Sequence, residues 1–149
     1  MIYLAGPCDS DHRTLMVEAA TYIRSKHYDV YCPWELKIEN AWDYSQEDWA
    51  KLVFDADIRA LDAAEAVIMI SLGRNSTAGT NWENGYAFAK GIPVHVIQIT
   101  EDTTSLMTYW GCSSFSNVLP HQDTLYSALR VVLDYLHEEF HDPCLTVLT

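Results

Sequence analysis

Two carboxylates and a phenol stand out in this chain by where they fall. Glu83 closes the run Thr80-Asn81-Trp82-Glu83, a hydroxyl residue followed three positions later by an acid, as in a helix capping box with Thr80 at the N-cap. On one reading Glu83 only complements the helix dipole. On the other it is reactive, because that helix would begin directly after an apolar strand, where α/β sheets bind their ligands. Asp57 lies four residues after Val53 and four before Leu61, at the margin of an apolar helical stripe. A carboxylate there is unfavourable unless paired or functional. Arg59 or Arg13 would serve as an ion-pair partner. Burial would instead raise the pKa of Asp57 toward that of a group that holds and delivers a proton near neutrality. Tyr3 falls in the first strand, either as core packing or as a phenol that hydrogen-bonds a nearby carboxylate and fixes its rotamer.

The elements that must position these groups follow from the hydrophobic pattern. Ile2 to Ala5 is a short apolar run ended by Gly6-Pro7 and reads as a buried strand. Leu15, Met16, Ala19, Ala20 and Ile23 have helical spacing, so a helix is expected over about 13–26. Tyr28 to Cys32 is a second strand stopped by Pro33, and Trp34 to Tyr44 a long loop. Ser45 with Asp48 starts a helix whose apolar face carries Trp49, Leu52, Val53, Ala56, Ala60 and Leu61. Ala66 to Ile70 is continuous and β-branched, as buried parallel strands are. After a polar loop, 73–79, a helix is expected from Thr80 to Lys90, with Gly91 at its C-terminal cap. Ile92 to Ile99 is a further strand, and Leu125, Leu129, Val132, Leu133 and Leu136 mark a last helix. Strands alternating with helices imply an α/β fold with a parallel sheet covered on both faces. Its ligand-binding edge would be built from the loops 6–13, 73–80 and 100–107.

The 149 residues suit one domain. The formal net charge of -12 gives no general attraction for DNA, RNA or an anionic membrane, and no apolar run approaches the ~20 residues that span a bilayer. Cys8, Cys32, Cys112 and Cys144 form no CxxC pair and fall at no zinc-like spacing from a histidine, and the start of the chain lacks the pattern of a secretory signal. Four reduced thiols in a cytoplasmic protein are therefore expected. His137 and His141 are four apart but have no evident third ligand, so a solvated pair is expected. Gly6, Pro7 and Gly79 permit close backbone approach to a ligand. Trp34, Trp42 and Trp110 fall in loops, where an aromatic ring can stack on a base.

Three segments in register resemble one family. They are Ile2-Tyr3-Leu4-Ala5-Gly6-Pro7, Asp57-Ile58-Arg59-Ala60-Leu61-Asp62-Ala63-Ala64, and Gly79-Thr80-Asn81-Trp82-Glu83-Asn84-Gly85-Tyr86-Ala87 with Gly91-Ile92-Pro93-Val94. They resemble the nucleoside 2-deoxyribosyltransferases, with Ser105-Leu106-Met107 as a fourth segment, over about residues 1 to 111. The resemblance implies a single flavodoxin-like (Rossmann-like) domain over residues 1–149, with a parallel sheet of about five strands. It also implies homo-oligomers, dimers or hexamers, with sites shared between subunits. The substrates would be a small deoxynucleoside or deoxynucleotide and a free nucleobase; no cofactor or metal is expected.

By position, Glu83 would attack the anomeric carbon and form a covalent deoxyribosyl-enzyme. Asp57 would protonate the departing base and deprotonate the incoming one, and Tyr3 would orient Glu83. The substrate-binding positions would include Gly6, Pro7, Arg13, Thr77, Gly79, Thr80, Ser105 and Met107. Thr77 stands where the transferases carry an Asp that binds sugar hydroxyls, and Ser105 where they carry an Asn that reaches a neighbouring subunit's sugar. The related deoxynucleoside 5'-monophosphate N-glycosidases have hydroxyl residues at both places. Thr77 and Ser105 would hydrogen-bond a 5'-phosphate that an Asp would repel, helped by the helix N-terminus at Thr80 and the charge of Arg13 and Arg74. Transfer to a second base and hydrolysis both remain open. The alternative of another class is a silent nucleotide-binding module, in which Glu83 is only a cap. The tail 141–149 would complete a neighbour's site.

Overall fold

The computed structural model describes residues 1–118 and 122–141. Cys144, the side chain of His141 and the tail after it lie outside the described residues. Five parallel strands form one sheet in the order β2-β1-β3-β4-β5: β1 (Ile2–Ala5), β2 (Val30–Tyr31), β3 (Ala66–Ser71), β4 (Val94–Gln98) and β5 (Ser114–Asn117). The helices are α1 (Arg13–Ser25), α2 (Gln46–Asp62), α3 (Ala78–Ala89), α4 (Leu106–Trp110) and α5 (Gln122–His141). This is the expected α/β architecture, with the order reversing between β1 and β3, where such sheets open a ligand crevice.

Alternation along the strands divides the core in two. Ile2, Leu4, Ile68, Ile70 and Ile97 face one way and pack on α1 and α5 through Met16, Ala19, Ile23, Leu129 and Leu133. Tyr3, Ala5, Val67, Met69, Val94 and Val96 face the other way, under Ala60 and Leu61 of α2 and Ala87 of α3. The second layer is smaller, and its residue on β1 is a tyrosine rather than an aliphatic. Cys8, Cys32 and Cys112 are free thiols. Among the described residues no helix is long and apolar enough to cross a membrane.

Several elements differ from the sequence-based expectation. Ser45 caps α2 as expected, accepting from the Asp48 amide at 3.1 Å. However, Trp49 and Leu52 of the expected apolar face are exposed, because only the last turns of α2 reach the sheet. Strand β2 is two residues long, since the chain turns at Pro33. The short α4 and β5 carry no periodic signal; α4 begins inside the expected loop 100–107, and β5 supplies the fifth strand.

The main correction concerns α3, whose N-cap is Thr77 rather than Thr80. Thr77 has extended backbone angles, and its Oγ1 accepts from the Thr80 amide at 3.2 Å. Glu83 therefore lies in the second turn and reaches no cap amide. Thr80 turns inward instead, and its hydroxyl donates to the Gly6 carbonyl at 3.0 Å, tying the start of α3 to the end of β1. Thr77→Ala should lower stability by about 1 kcal/mol and the thermal midpoint by a few degrees. Superimposable urea titrations of this variant and the wild type would remove Thr77 as the cap.

Candidate functional site

The site is built on the smaller core layer. The Tyr3 side chain is fully buried, and its hydroxyl donates to Glu83 Oε1 at 2.8 Å. Parallel pairing of β1 with β2 sets Tyr3 opposite Tyr31, and the two rings stack with centroids 5.4 Å apart. The Tyr31 hydroxyl donates to Asp57 Oδ1 at 2.7 Å. Two phenols side by side thus hold two carboxylates, one from α2 and one from α3. The expected contact between Tyr3 and Glu83 is present. Asp57 meets a phenol, and among the described residues no arginine pairs with it. Arg13 lies with its guanidinium 5.4 Å from the Trp34 ring centre.

Asp57 and Glu83 open into one cavity of about 420 Å³, walled by Trp49, Val53, Phe54, Ile58, Gly79 and Trp82. Apolar walls around two half-buried acids disfavour their charged forms. Burial pushes Glu83 up to about 7; the Tyr3 bond opposes that shift and the charge of Asp57 adds to it. Asp57 is raised as well, by burial, against the pull of the Tyr31 bond. The pair therefore retains a proton near neutrality, and its titration belongs to both groups together. Such a pair can supply one carboxylate as nucleophile and one carboxyl as proton donor.

The other expected substrate-binding residues divide between places. Gly6 and Pro7 are buried at the end of β1; their carbonyls accept from Thr80 and from Trp34 Nε1, the latter at 3.0 Å. Thr77 contacts Thr80 hydroxyl to hydroxyl at 2.8 Å. Because Thr80 gives its only hydroxyl proton to Gly6, the proton in that contact is Thr77's. Thr77, the phosphate candidate at the start of α3, thus has its donor engaged within the protein, as does Thr80. Ser105 and Met107 line a second cavity, of about 500 Å³, on the face of α3 formed by Asn81, Asn84, Gly85 and Phe88. They do not share the cavity of Glu83 in the same chain. Arg74 bonds Thr103 Oγ1 at 3.1 Å.

Sequence reasoning missed Tyr31, Trp49, Phe54 and Trp82. Tyr31 becomes legible once β2 is paired with β1. Trp82 immediately precedes Glu83, yet reads as generic packing. Of the tryptophans expected at a base, Trp42 is 98% exposed and Trp110 lines the second cavity.

A model of the family described as nucleoside 2-deoxyribosyltransferase matches residues 2–143. Among solved structures, a 2-deoxyribosyltransferase from Bacillus psychrosaccharolyticus is similar, with a TM-score of 0.67 and 25% identity over 76% of this chain and 83% of that one. A CMP N-glycosidase from Clostridium botulinum has a TM-score of 0.63 at 16% identity, over 88% and 98% of the two chains. A conserved protein from Enterococcus faecalis V583 has 0.61 at 20%, over 88% and 97%. The last two likenesses concern the fold. No curated protein matches the sequence significantly.

The burial of Glu83 predicts an inverted pH dependence of stability. Its folded pKa lies above the unfolded value, so ionisation is harder in the native state. Its contribution therefore becomes unfavourable as pH rises from about 4.5 through about 7. Glu83→Gln, which resembles the protonated acid and still accepts from Tyr3, should leave stability unchanged at pH 4. Above pH 7 it should raise it by up to about 3 kcal/mol. Thermal melts of both proteins across pH 4–8 check this; a constant offset would contradict it.

Proposed function

The chain belongs to the nucleoside 2-deoxyribosyltransferase family, and from that premise we propose that it cleaves the N-glycosidic bond of a 2'-deoxynucleoside or its 5'-monophosphate through a covalent deoxyribosyl-Glu83 intermediate. The observation that carries this reading is the shared cavity. It presents two phenol-held carboxyl groups, both with their proton affinity raised by burial, against apolar walls.

In the productive form Glu83 is ionised and Asp57 carries the proton. Tyr3 steadies the ionised form of Glu83 by donating to its carboxylate. Glu83 attacks the anomeric carbon as the bond to the base nitrogen breaks through an oxocarbenium-like transition state. The bonding electrons go to the base, which takes the proton of Asp57. Asp57, now a carboxylate, then deprotonates an incoming base or a water molecule. That nucleophile displaces Glu83, and the two inversions give net retention. Trp49, Phe54 and Trp82 supply aromatic surface on which a base can lie.

The shared oligomeric site belongs to the same proposal. Leu106, Met107 and Trp110 of α4 are 76%, 84% and 79% exposed, and Phe88 of α3 is 63% exposed. Together they form an apolar face of the kind that a second subunit covers. In that assembly Ser105 and Met107 reach the cavity of a neighbouring copy rather than their own.

The deciding experiment follows the products of deoxynucleosides and their 5'-monophosphates by chromatography, with and without an acceptor base. Wild type should release or exchange the base, and Glu83→Ala should lose at least about 1,000-fold in rate. Release without exchange would identify water as the acceptor. Equal behaviour of wild type and Glu83→Ala would favour a silent binding module. Thr77→Asp, which adds a negative charge, should shift preference from nucleotides toward nucleosides if a phosphate lies at the α3 N-terminus. Met107→Glu should lower both the sedimentation coefficient and the turnover.

A further inference from the structure

Tyr31 has no role in the reaction as written above, yet it has the same geometry toward Asp57 that Tyr3 has toward Glu83. Strand register sets the two tyrosines side by side, their rings stack at 5.4 Å and 25°, and their hydroxyls diverge to different carboxylates at 2.8 and 2.7 Å. A tyrosine hydroxyl has one proton to give. We propose that Tyr31 is a positioning residue: by binding Oδ1 of Asp57 it leaves Oδ2 as the oxygen that carries the transferable proton, and it steadies the carboxylate that remains once the base has taken that proton. The role rests on the reaction proposed above.

The proton balance is simple. The Oδ2–H bond of Asp57 breaks, an N–H bond forms on the base, and the electron pair stays on the Asp57 carboxylate. Tyr31 keeps its own proton, because burial and the adjacent Asp57 hold its hydroxyl well above the usual phenol range. A hydrogen bond to a carboxylate is about twice as strong as one to a neutral acceptor, so the Tyr31 bond strengthens as the proton departs. The bond thus favours the transition state over the ground state. It also makes Asp57 a stronger acid, opposing the effect of burial. The titratable groups facing Asp57 are Tyr31 from β2, Tyr3 from β1, Cys8 from the loop after β1 and Glu83 from α3, with Arg59 of α2 acting on Tyr31. Of these, Tyr31 is the one that bonds it.

Tyr31→Phe keeps the ring and its stack and removes only the hydroxyl. The expected result has two parts of opposite sense. The plateau of kcat falls about 10-fold with little change in KM, while the alkaline limb of the pH profile moves upward by roughly half a unit or more. The second part has an independent readout. The carboxyl of Asp57, followed by carbon-13 NMR in labelled protein, should titrate at higher pH in Tyr31→Phe than in wild type. If Tyr31→Phe folds poorly, 3-fluorotyrosine at position 31 gives the converse test. Its more acidic phenol binds the carboxylate more tightly, and the Asp57 midpoint should move down.

A fall in kcat with an unmoved carboxyl titration and an unmoved alkaline limb would reduce Tyr31 to packing and overturn the proposal. A moved titration with unchanged turnover would overturn its part in catalysis. If wild type releases no base from any substrate, the reaction itself is overturned, and the NMR arm still decides whether Tyr31 sets the proton affinity of Asp57.

Discussion

Placing two carboxyl groups together against apolar walls is unfavourable twice over, once for lost hydration and once for mutual repulsion. The fold meets this with a pair of stacked phenols on neighbouring parallel strands, one for each acid. Much of the architecture is needed to hold that arrangement. The β1–β2 register sets the rings side by side. The tie from Thr80 to Gly6 fixes where α3 begins relative to β1, and so where Glu83 points. Leu61 and Ala60 seat the last turns of α2 on the sheet, which brings Asp57 over Tyr31. The upward shift of Glu83 to about 7 shows that the offset is incomplete. Native structure here retains a destabilising group, as functional sites commonly do.

Much of this was legible in the sequence, for identifiable reasons. The apolar run ended by Gly6-Pro7 gave β1, the continuous β-branched run from Ala66 to Ile70 gave β3, and helical spacing gave α1 and α5. The motif around Glu83 was visible because it sits in a strand–loop–helix context. The α3 cap was misassigned because Thr77 and Thr80 both satisfy the pattern of a hydroxyl at a helix start. Only the backbone decides which of them has extended angles. The exposed Trp49 and Leu52 were misassigned because periodicity reports an apolar face without reporting what covers it. Tyr31 escaped notice because a tyrosine in a strand reads as packing, and its partner is 26 residues away in sequence. The apolar, aperiodic α4 and the polar β5 are too short for pattern to separate them from loop.

Helix α3 partitions the molecule. Glu83, Trp82 and Gly79 face the cavity shared with α2; Asn81, Asn84, Gly85 and Phe88 face the cavity beside α4. The helix is correspondingly poor in buried apolar residues: Ala87 is the one fully buried, with Tyr86 packed beside it. Its place is fixed at its start by the polar ties of Thr77 and Thr80 rather than by an extensive apolar seam. That is consistent with a helix both of whose flanks are given over to cavities.

The edge position of β2 has a further consequence. Strand β1 is enclosed between β2 and β3, and its four residues are fully buried. Strand β2 is an edge of two half-buried residues. Local opening in a sheet begins at such edges, with a free energy well below that of global unfolding. The two acids are therefore moored with unequal security: Glu83 to an interior strand, Asp57 to a margin that frays first. A brief detachment of β2 would free Asp57 while Tyr3 still held Glu83. Amide hydrogen exchange at Val30 and Tyr31 thus reports how often Glu83 stands held while Asp57 is adrift.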